Sequence, residues 1–341
     1  MQKGASFVTQ RRKVLVTIAV LLAAAIVVLG LFVAQKRKAD YEMESYQGIA
    51  MGTIVSMKLY DDQPPTLCKQ TKQWIDALEQ IISRRIETSP VAALNRTGRC
   101  ENSVVASVVR QCEPISAATN GAFDLTIGEV SALWDFGGEH ERLPAQSEIE
   151  KALKTVGYTS LKTNGDTVSA KSGQALDLGA VGKGLACDRV KEALQKSGIK
   201  GGVVSVGGSI VAFGSRNKAG EPWRIAIRHP RNDNALLGTI LLKEGFVSTS
   251  GDYERFFEQD GKRYFHILDA RTGYPVQTDL CSVTVVCGNG LLSDALSTAC
   301  FLLGEENSEA LLKTYDAAAV FVKTDGTIST YGDVDFTAYE S

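Results

Sequence analysis

The spacing of apolar residues changes period several times along the chain, and each change predicts an element. Residues 14–34 form an uninterrupted, uncharged apolar run of mainly Val, Leu, Ile and Ala, broken only by Thr17 and Gly30. Such a run is long enough to cross a bilayer and longer than the apolar core of a typical cleaved signal peptide. Residues 1–13, carrying Lys3, Arg11, Arg12 and Lys13, are then expected to be a cytoplasmic segment, 14–34 an uncleaved transmembrane signal anchor, and 35–47 a linker. No Cys stands near the end of the run to take a lipid, and Ala34 lacks a small residue three positions before it. Lys36, Arg37 and Lys38 nearly balance the basic residues ahead of the span, so charge alone does not orient it. The bulk of the chain lies after the anchor, which favours an exported catalytic domain.

From 48 onward the pattern is that of a folded domain, expected over 48–341. Residues 48–60 are β-branched with partial alternation and read as a strand. Residues 66–83 set Leu67, Trp74, Ile75, Leu78, Ile81 and Ile82 on a helical stripe. A second amphipathic helix is expected over 103–119, closed by Asn120 and Gly121. At 175–189, Ala175 and Leu176 read as a strand, Gly179, Gly182 and Gly184 as a tight turn, and Val190, Ala193 and Leu194 as the start of a helix. Residues 201–215 read as a pair of strands, and 222–287 supply more, with turns at Asp260 and Gly261 and at Thr272 and Gly273. Helical spacing returns over 289–304, where Leu296, Ala299, Cys300 and Leu303 can face a core. Strands and helices mix without a βαβ period, so the fold class is α+β in a single large domain.

Composition adds little to that fold and excludes one class of partner. The chain is 44% hydrophobic with a net charge of -2, enough for a sizeable core and no electrostatic reason to expect nucleic acid. Cys68, Cys100, Cys112, Cys187, Cys281, Cys287 and Cys300 form no CxxC pair and have no His at zinc spacing, so buried thiols are expected. Free thiols sit awkwardly with export to an oxidising compartment.

Two stretches carry candidate chemistry. Around Lys183, clustered glycines let backbone N–H groups approach an anion, the helix start adds partial positive charge, and the lysine adds a full one. That suggests a phosphate cradle, although it fits neither GxGxxG nor the P-loop, and glycine turns before helices also serve as plain punctuation. On the helix at 289–304, Asp294 and Thr298 stand four apart, which puts a carboxylate and a hydroxyl on one face within reach of one hard cation. The same pair would arise from an Asp complementing the helix dipole and a Thr bonding back to a carbonyl. Phe123, Trp134 and Phe136, in the aromatic stretch 121–138, serve either as core or as a wall for a planar ring system.

These fragments fall into an ordered set: MGT at Met51; Ser83, Ser89 and Asn95 at S-x5-S-x5-N spacing; GAFDLTIG at Gly121; DLGAVGKG at Asp177; VGGS at Val206; STSGDYERFF at Ser248; HILDARTGYP at His266; and SDALSTA at Ser293. In this order, over 51–304, the chain resembles the ApbE-like FAD:protein FMN transferase family. The resemblance implies an ApbE-like, T-fold-related domain that takes FAD as substrate, uses Mg²⁺, and moves FMN onto a threonine hydroxyl of a target redox protein through a phosphoester, releasing AMP. It also implies roles. Asp294, Thr298 and the main-chain carbonyl of Ala180 would hold the metal, and Asp177 and Lys183 would face the nucleotide and its pyrophosphate. Met51, Ala122, Phe123 and Asp124 would line the flavin or adenine pocket, with backbone contacts from Ile267. His266 would be the general base beside Lys183 and Asp294, although a strand histidine of purely structural use is the bland alternative. His140 and His229 are expected on the surface or in loops.

The chain departs from the family pattern in three places. Arg85 stands where relatives often carry Tyr, so a ring stack on the nucleotide is replaced by a cation or lost. Ala270 replaces a usual Pro, and Ser209 replaces a usual Asp or Asn. Two other functions remain open at this point: the same Mg²⁺ site acting with water would be an FAD pyrophosphatase, and a site without turnover would be a membrane-anchored flavin-binding module. The partner implied is an acceptor flavoprotein subunit of a membrane redox complex with a Ser/Thr-rich flavinylation motif. The expected location is the cell membrane, single-pass, with the catalytic domain extracytoplasmic.

Overall fold

The computed structural model describes residues 22, 25, 26, 28, 40–63 and 65–339. Apart from Leu22, Ala25, Ile26 and Val28, the expected span at 14–34 lies outside the described residues, and among these no helix is long and apolar enough to cross a membrane. The expected linker is shorter than 35–47, because strand β1 (Glu42–Ala50) begins inside it and pairs along its whole length with β2 (Thr53–Asp61). The single strand expected at 48–60 is therefore the end of β1, a tight turn and nearly all of β2. Met51 and Gly52 take φ of 52° and 66°, the two-residue turn whose twist suits paired strands. A Met in that region is unusual, and no Asn or Asp announces the turn. Glu79 fastens it by accepting the Met51 amide at 2.9 Å.

The helices follow the stripes read from the sequence. Helix α1 (Cys68–Ile82) buries Ile75, Leu78 and Ile82, and α2 (Pro90–Thr97) is capped by Ser89, whose hydroxyl accepts the Ala92 amide. Strand β3 (Arg99–Glu101) leads to α3 (Ser103–Ala118), where Asn102 caps by accepting the Val104 and Val105 amides. Then come α4 (Gly128–Trp134), α5 (Gln146–Leu153), β4 (Lys162–Asn164), β5 (Thr167–Ser169) and α6 (Gly182–Lys196). The strand expected before α6 is reduced to one bridge between Ala175 and Ile127.

The remaining strands are β6 (Gly201–Val206), β7 (Ser209–Gly214), β8 (Trp223–Arg228), β9 (Leu236–Leu242), β10 (Gly245–Gly251), β11 (Phe256–Gln259), β12 (Lys262–Phe265) and β13 (Leu280–Cys287). After helices α7 (Gly290–Leu303) and α8 (Glu309–Thr314) come β14 (Ala318–Lys323), β15 (Ile328–Tyr331) and β16 (Phe336–Ala338). One eight-stranded sheet, in order β1-β2-β6-β7-β10-β13-β14-β15, organises the domain, and all its neighbours are antiparallel. Alternation divides its residues between two cores. Val211, Phe213, Phe246, Val283, Val285 and Phe321 meet helices α1, α3, α6 and α7 on one face. Ala212, Val247, Val320 and Val322 meet Trp223, Ile225 and Ile240 of the small sheet β16-β9-β8 on the other.

A third core gathers Trp134, Phe136, Ile149 and Leu268 with Phe257 and Tyr264, where α4 and α5 meet the β11–β12 hairpin. Trp134 is thus core, stacked on Phe136 at 5.4 Å with its indole N–H donated to the Gly273 carbonyl. All seven cysteines are buried and unpaired. The α+β architecture agrees with the irregular mixing of strand and helix patterns in the sequence.

Candidate functional site

The turn before α6 is built by contacts distant in sequence. Asn95 pairs with Leu176 in both directions, its Nδ2 donating to the Leu176 carbonyl at 2.9 Å and its Oδ1 accepting the Leu176 amide at 2.7 Å. The next residue, Asp177, shapes the turn with its carboxylate, which accepts the Gly179 amide, the Ser131 hydroxyl and Arg84 Nε at 2.8, 2.6 and 2.9 Å. Asp177 lines the cavity, and its oxygens are already engaged by this network. Gly182 is crowded, because a Cβ there would stand 3.0 Å from Ile82 Cδ1 and 3.3 Å from Met51 Cε.

Gly184 serves a different purpose from the anion approach expected of it. A Cβ on Gly184 would run into the Gly290 carbonyl, and one on Gly290 into the Gly184 carbonyl, so α6 and α7 meet backbone to backbone. That crossing places Asp294, one turn into α7 and only 2% exposed, behind the start of α6. Its Oδ2 accepts the Gly184 amide at 2.9 Å, and its Oδ1 accepts the Ser209 hydroxyl at 3.1 Å with Lys183 Nζ 3.5 Å away. Ser209, a departure from the family pattern, therefore has a defined partner. Beside Asp294, Ser250 Oγ lies 2.8 Å from Ser297 Oγ and 3.1 Å from Thr298 Oγ1.

The chemistry of this donor set fits a hard divalent cation. Among the described residues no three His, Cys, Asp or Glu side chains converge on a metal position, so the available donors are one carboxylate and neutral oxygens. Mg²⁺ takes such sets, leaving the rest of its shell to water and phosphate. Two oxygens are left without partners, and of these only Ala180 belongs to the cavity wall. No hydrogen bond among the described residues ends on the Ala180 carbonyl, and Ser248 Oγ, opposite Ser209 in the β7–β10 pairing, is buried without a partner. Asp294, Thr298 and the Ala180 carbonyl would hold the ion.

A cavity of about 470 Å³ opens over these groups, inside the range of roughly 300–1,000 Å³ usual for cofactor sites. Met51, Arg85, Ala122, Phe123, Asp124, Asp177, Ala180, Lys183, His266, Ile267 and Thr298 all contribute to its wall, while Asp294 lies just behind it. Not all of them offer a free side chain. Asp124 Oδ1 accepts the Thr126 amide and hydroxyl and its Oδ2 accepts the Tyr158 amide, so the carboxylate holds a turn; burial pushes its pKa up. Arg85 is engaged by Asp135 at 2.7 Å rather than left as a free stacking group. His140 is exposed in a loop, and His229 lies in a loop with its Nδ1 accepting the Arg231 amide.

His266 has the most altered chemistry. Its ring opens onto the cleft, yet protein crowds the other sides; desolvation, Lys183 and Arg255 together lower its pKa from 6.5 to about 4. The two cations press in the same direction even where cleft water softens the desolvation. The imidazole is therefore neutral at physiological pH and able to accept a proton. The sequence reading overlooked Arg84, Glu79, Ser250 and Arg255. Ser250 and Arg255 lie within the STSGDYERFF stretch, but only the fold shows that they face the cavity. Arg255 has no carboxylate partner among the described residues, and its Nη2 stands 3.4 Å from the Gly52 carbonyl.

Comparison with known proteins identifies the family. A profile described as the ApbE family matches residues 51–321. The FAD:protein FMN transferase of Klebsiella pneumoniae (strain 342) is 32% identical over 293 residues, covering 83% of this chain and 90% of the relative. The enzyme of the same description from Vibrio cholerae serotype O1 is 32% identical over 314 residues, covering 88% and 93%. Among solved structures, the ApbE protein of Thermotoga maritima aligns with a TM-score of 0.78 at 33% identity, over 84% of this chain and 96% of that one. Pseudomonas stutzeri flavinyl transferase ApbE aligns with a TM-score of 0.74 at 31% identity, over 88% and 95%. With the profile spanning both the Met51 turn and the Asp294 helix, the chain belongs to the ApbE family.

Proposed function

We propose that the chain is a Mg²⁺-dependent FAD:protein FMN transferase that moves the FMN half of FAD onto a threonine hydroxyl of an acceptor protein and releases AMP. The observation that supports it is the convergence on one cavity of a cation, Lys183, a buried carboxylate and a hydroxyl on one helix, Asp294 and Thr298, and a neutral imidazole, His266. The relatives that carry this activity in their names supply the substrate class.

In this reading the acceptor oxygen forms a bond to the phosphorus on the FMN side of the diphosphate. The bond from that phosphorus to the bridging oxygen breaks, and the oxygen departs with AMP. His266 takes the hydroxyl proton. Lys183 and the start of α6 hold the non-bridging oxygens, where full and partial positive charge act on the transferring group. Mg²⁺ bound by Asp294, Thr298 and the Ala180 carbonyl would neutralise charge on the diphosphate. Phosphoryl transfer depends more on charge neutralisation than on a strong base, which suits a weakly basic imidazole. A positioned base of this kind contributes about 10²–10⁴-fold.

The test mixes the purified chain with FAD and Mg²⁺, with and without an acceptor domain, and follows AMP and acceptor mass together. A gain of one FMN in step with AMP is the expected result. AMP released without acceptor would instead make the protein a pyrophosphatase, and neither product with a competent acceptor would leave a flavin-binding module. We further read 14–34 as a single-pass anchor holding the domain outside the cytoplasm, where the acceptor would be a membrane-associated redox subunit. Digestion of the domain by protease added to intact spheroplasts would support that placement, and protection would overturn it.

A further inference from the structure

A protein hydroxyl can reach His266 only through the mouth of the cavity, so the surface around that mouth meets the acceptor. We propose that the acceptor protein docks on an apolar rim made by Ile49, Ile54 and Phe256, presenting an apolar surface around its own acceptor hydroxyl. The inference rests on the transferase reading and adds the surface by which the partner is recognised.

Ile49 and Ile54 face each other across the β1–β2 hairpin and are 73% and 58% exposed. The same face of the hairpin carries Gln47 opposite Ser56 and Ser45 opposite Lys58, as expected of strands in water. This face turns apolar at both ends: Met43 pairs with Tyr60 at the far end, and the isoleucine pair stands at the turn, where no element among the described residues covers it. That end is the functional one, because Met51, Gly52 and Thr53, between the two isoleucines, line the cavity. Phe256, 39% exposed, stands at the start of β11, immediately after Arg255, whose Nη2 reaches the Gly52 carbonyl. This side-chain contact links the start of β11 to the turn of the first hairpin. Arg263 lies 4.1 Å from the Phe256 ring centre, covering one face of it.

The size of the rim argues for a transient partner. Three side chains expose far less than the roughly 800 Å² per partner of a standard stable interface, whereas an enzyme that must release its product needs a weak one. FAD itself has no use for these residues, because they lie outside the cavity wall. Met43 gives an internal control. It is 48% exposed on the same strand but about 20 Å from Ile49 at the usual strand rise.

The test compares the full chain with a double variant, Ile49→Thr and Ile54→Thr, and with Met43→Thr. Threonine keeps β-branching at exposed strand positions. The acceptor is a redox-subunit domain carrying the Ser/Thr-rich flavinylation motif, and the readouts are acceptor KM, kcat, FAD affinity from flavin fluorescence, and sedimentation. The double variant is expected to raise acceptor KM about tenfold with kcat and FAD affinity unchanged, while Met43→Thr stays parental. A parental KM in the double variant overturns the docking surface alone. A parental chain that sediments as a dimer, with the variant monomeric, would assign the rim to a second copy and also overturn it. A parental chain that transfers no FMN would overturn the transferase reading together with the rim.

Discussion

Two helix N-termini meet at the Gly184–Gly290 crossing, and they are finished in opposite ways. At α7, Asn289 Oδ1 accepts the Leu292 amide while the two carboxylate oxygens of Asp188 accept the Gly290 and Leu291 amides, each at 2.7 Å. That end is closed by the protein's own oxygens. At α6, Val181 offers no side-chain cap; the Gly182 amide goes to the Leu178 carbonyl and the Gly184 amide to Asp294. The Lys183 amide has no partner among the described residues, and Lys183 lines the cavity. Orphan amides at a helix start require an acceptor. The contrast is between a helix start whose first three amides are taken by protein oxygens and one that leaves the Lys183 amide unpaired beside the cavity, although both pack at the crossing and both carry positive dipole ends.

The largest expected effect falls where the two ends are joined. Asp294→Asn should lower Mg²⁺-dependent AMP release about 10³-fold, roughly 4 kcal/mol of barrier, because the amide side chain retains an acceptor for Gly184 but removes the charge facing the cation. Retention of parental Mg²⁺-dependent activity would remove Asp294 from the metal set. The next two variants should divide cleanly. Lys183→Met should lower kcat/KM for FAD about 10²-fold with Tm nearly unchanged. Asp188→Ala should cost about 1–2 kcal/mol of stability in thermal unfolding with FAD affinity intact. If Lys183→Met destabilised as much as Asp188→Ala, the distinction between the two ends would fail.

The smallest effect concerns pH. Because crowding by protein on one side, Lys183 and Arg255 lower the His266 pKa although its ring opens onto the cleft, the acid limb of kcat should lie below 6.5, toward pH 4. Arg255→Gln should move that limb upward, since removing a positive neighbour favours the imidazolium. The stability consequence has the same sign. The folded pKa is below the unfolded value of 6.5, so the unfolded chain binds more protons between about pH 6.5 and 4, and stability declines as pH falls through that window. An acid limb that Arg255→Gln leaves in place would detach Arg255 from His266.

What was legible in the sequence was mostly periodic. The stripes of α1, α3 and α7 come from repeated apolar positions, and their helices lie within a few residues of the readings. The Asp294–Thr298 pair was legible because helix geometry fixes its spacing. The Met51–Gly52 turn was hidden, because a Met at positive φ has no turn signature and depends on the distant carboxylate of Glu79. Asn95, Asp177 and Asp124 were legible as motif residues, but their work of tying turns together depends on partners up to 81 positions away. Gly184 could be read as a glycine but not as a helix crossing, for the same reason.

The seven thiols have a practical consequence. Burial pushes Cys68 and Cys300 up to about 12 and Cys281 up to about 11, and it raises the other four as well. At neutral pH the folded protein thus presents almost no thiolate to oxidants or maleimides. A chain with no disulfide can in this way persist in an oxidising compartment. It is also chemically silent, so a single cysteine introduced beside the cavity mouth would be the one addressable handle for a crosslinker or a fluorophore reporting when another protein arrives.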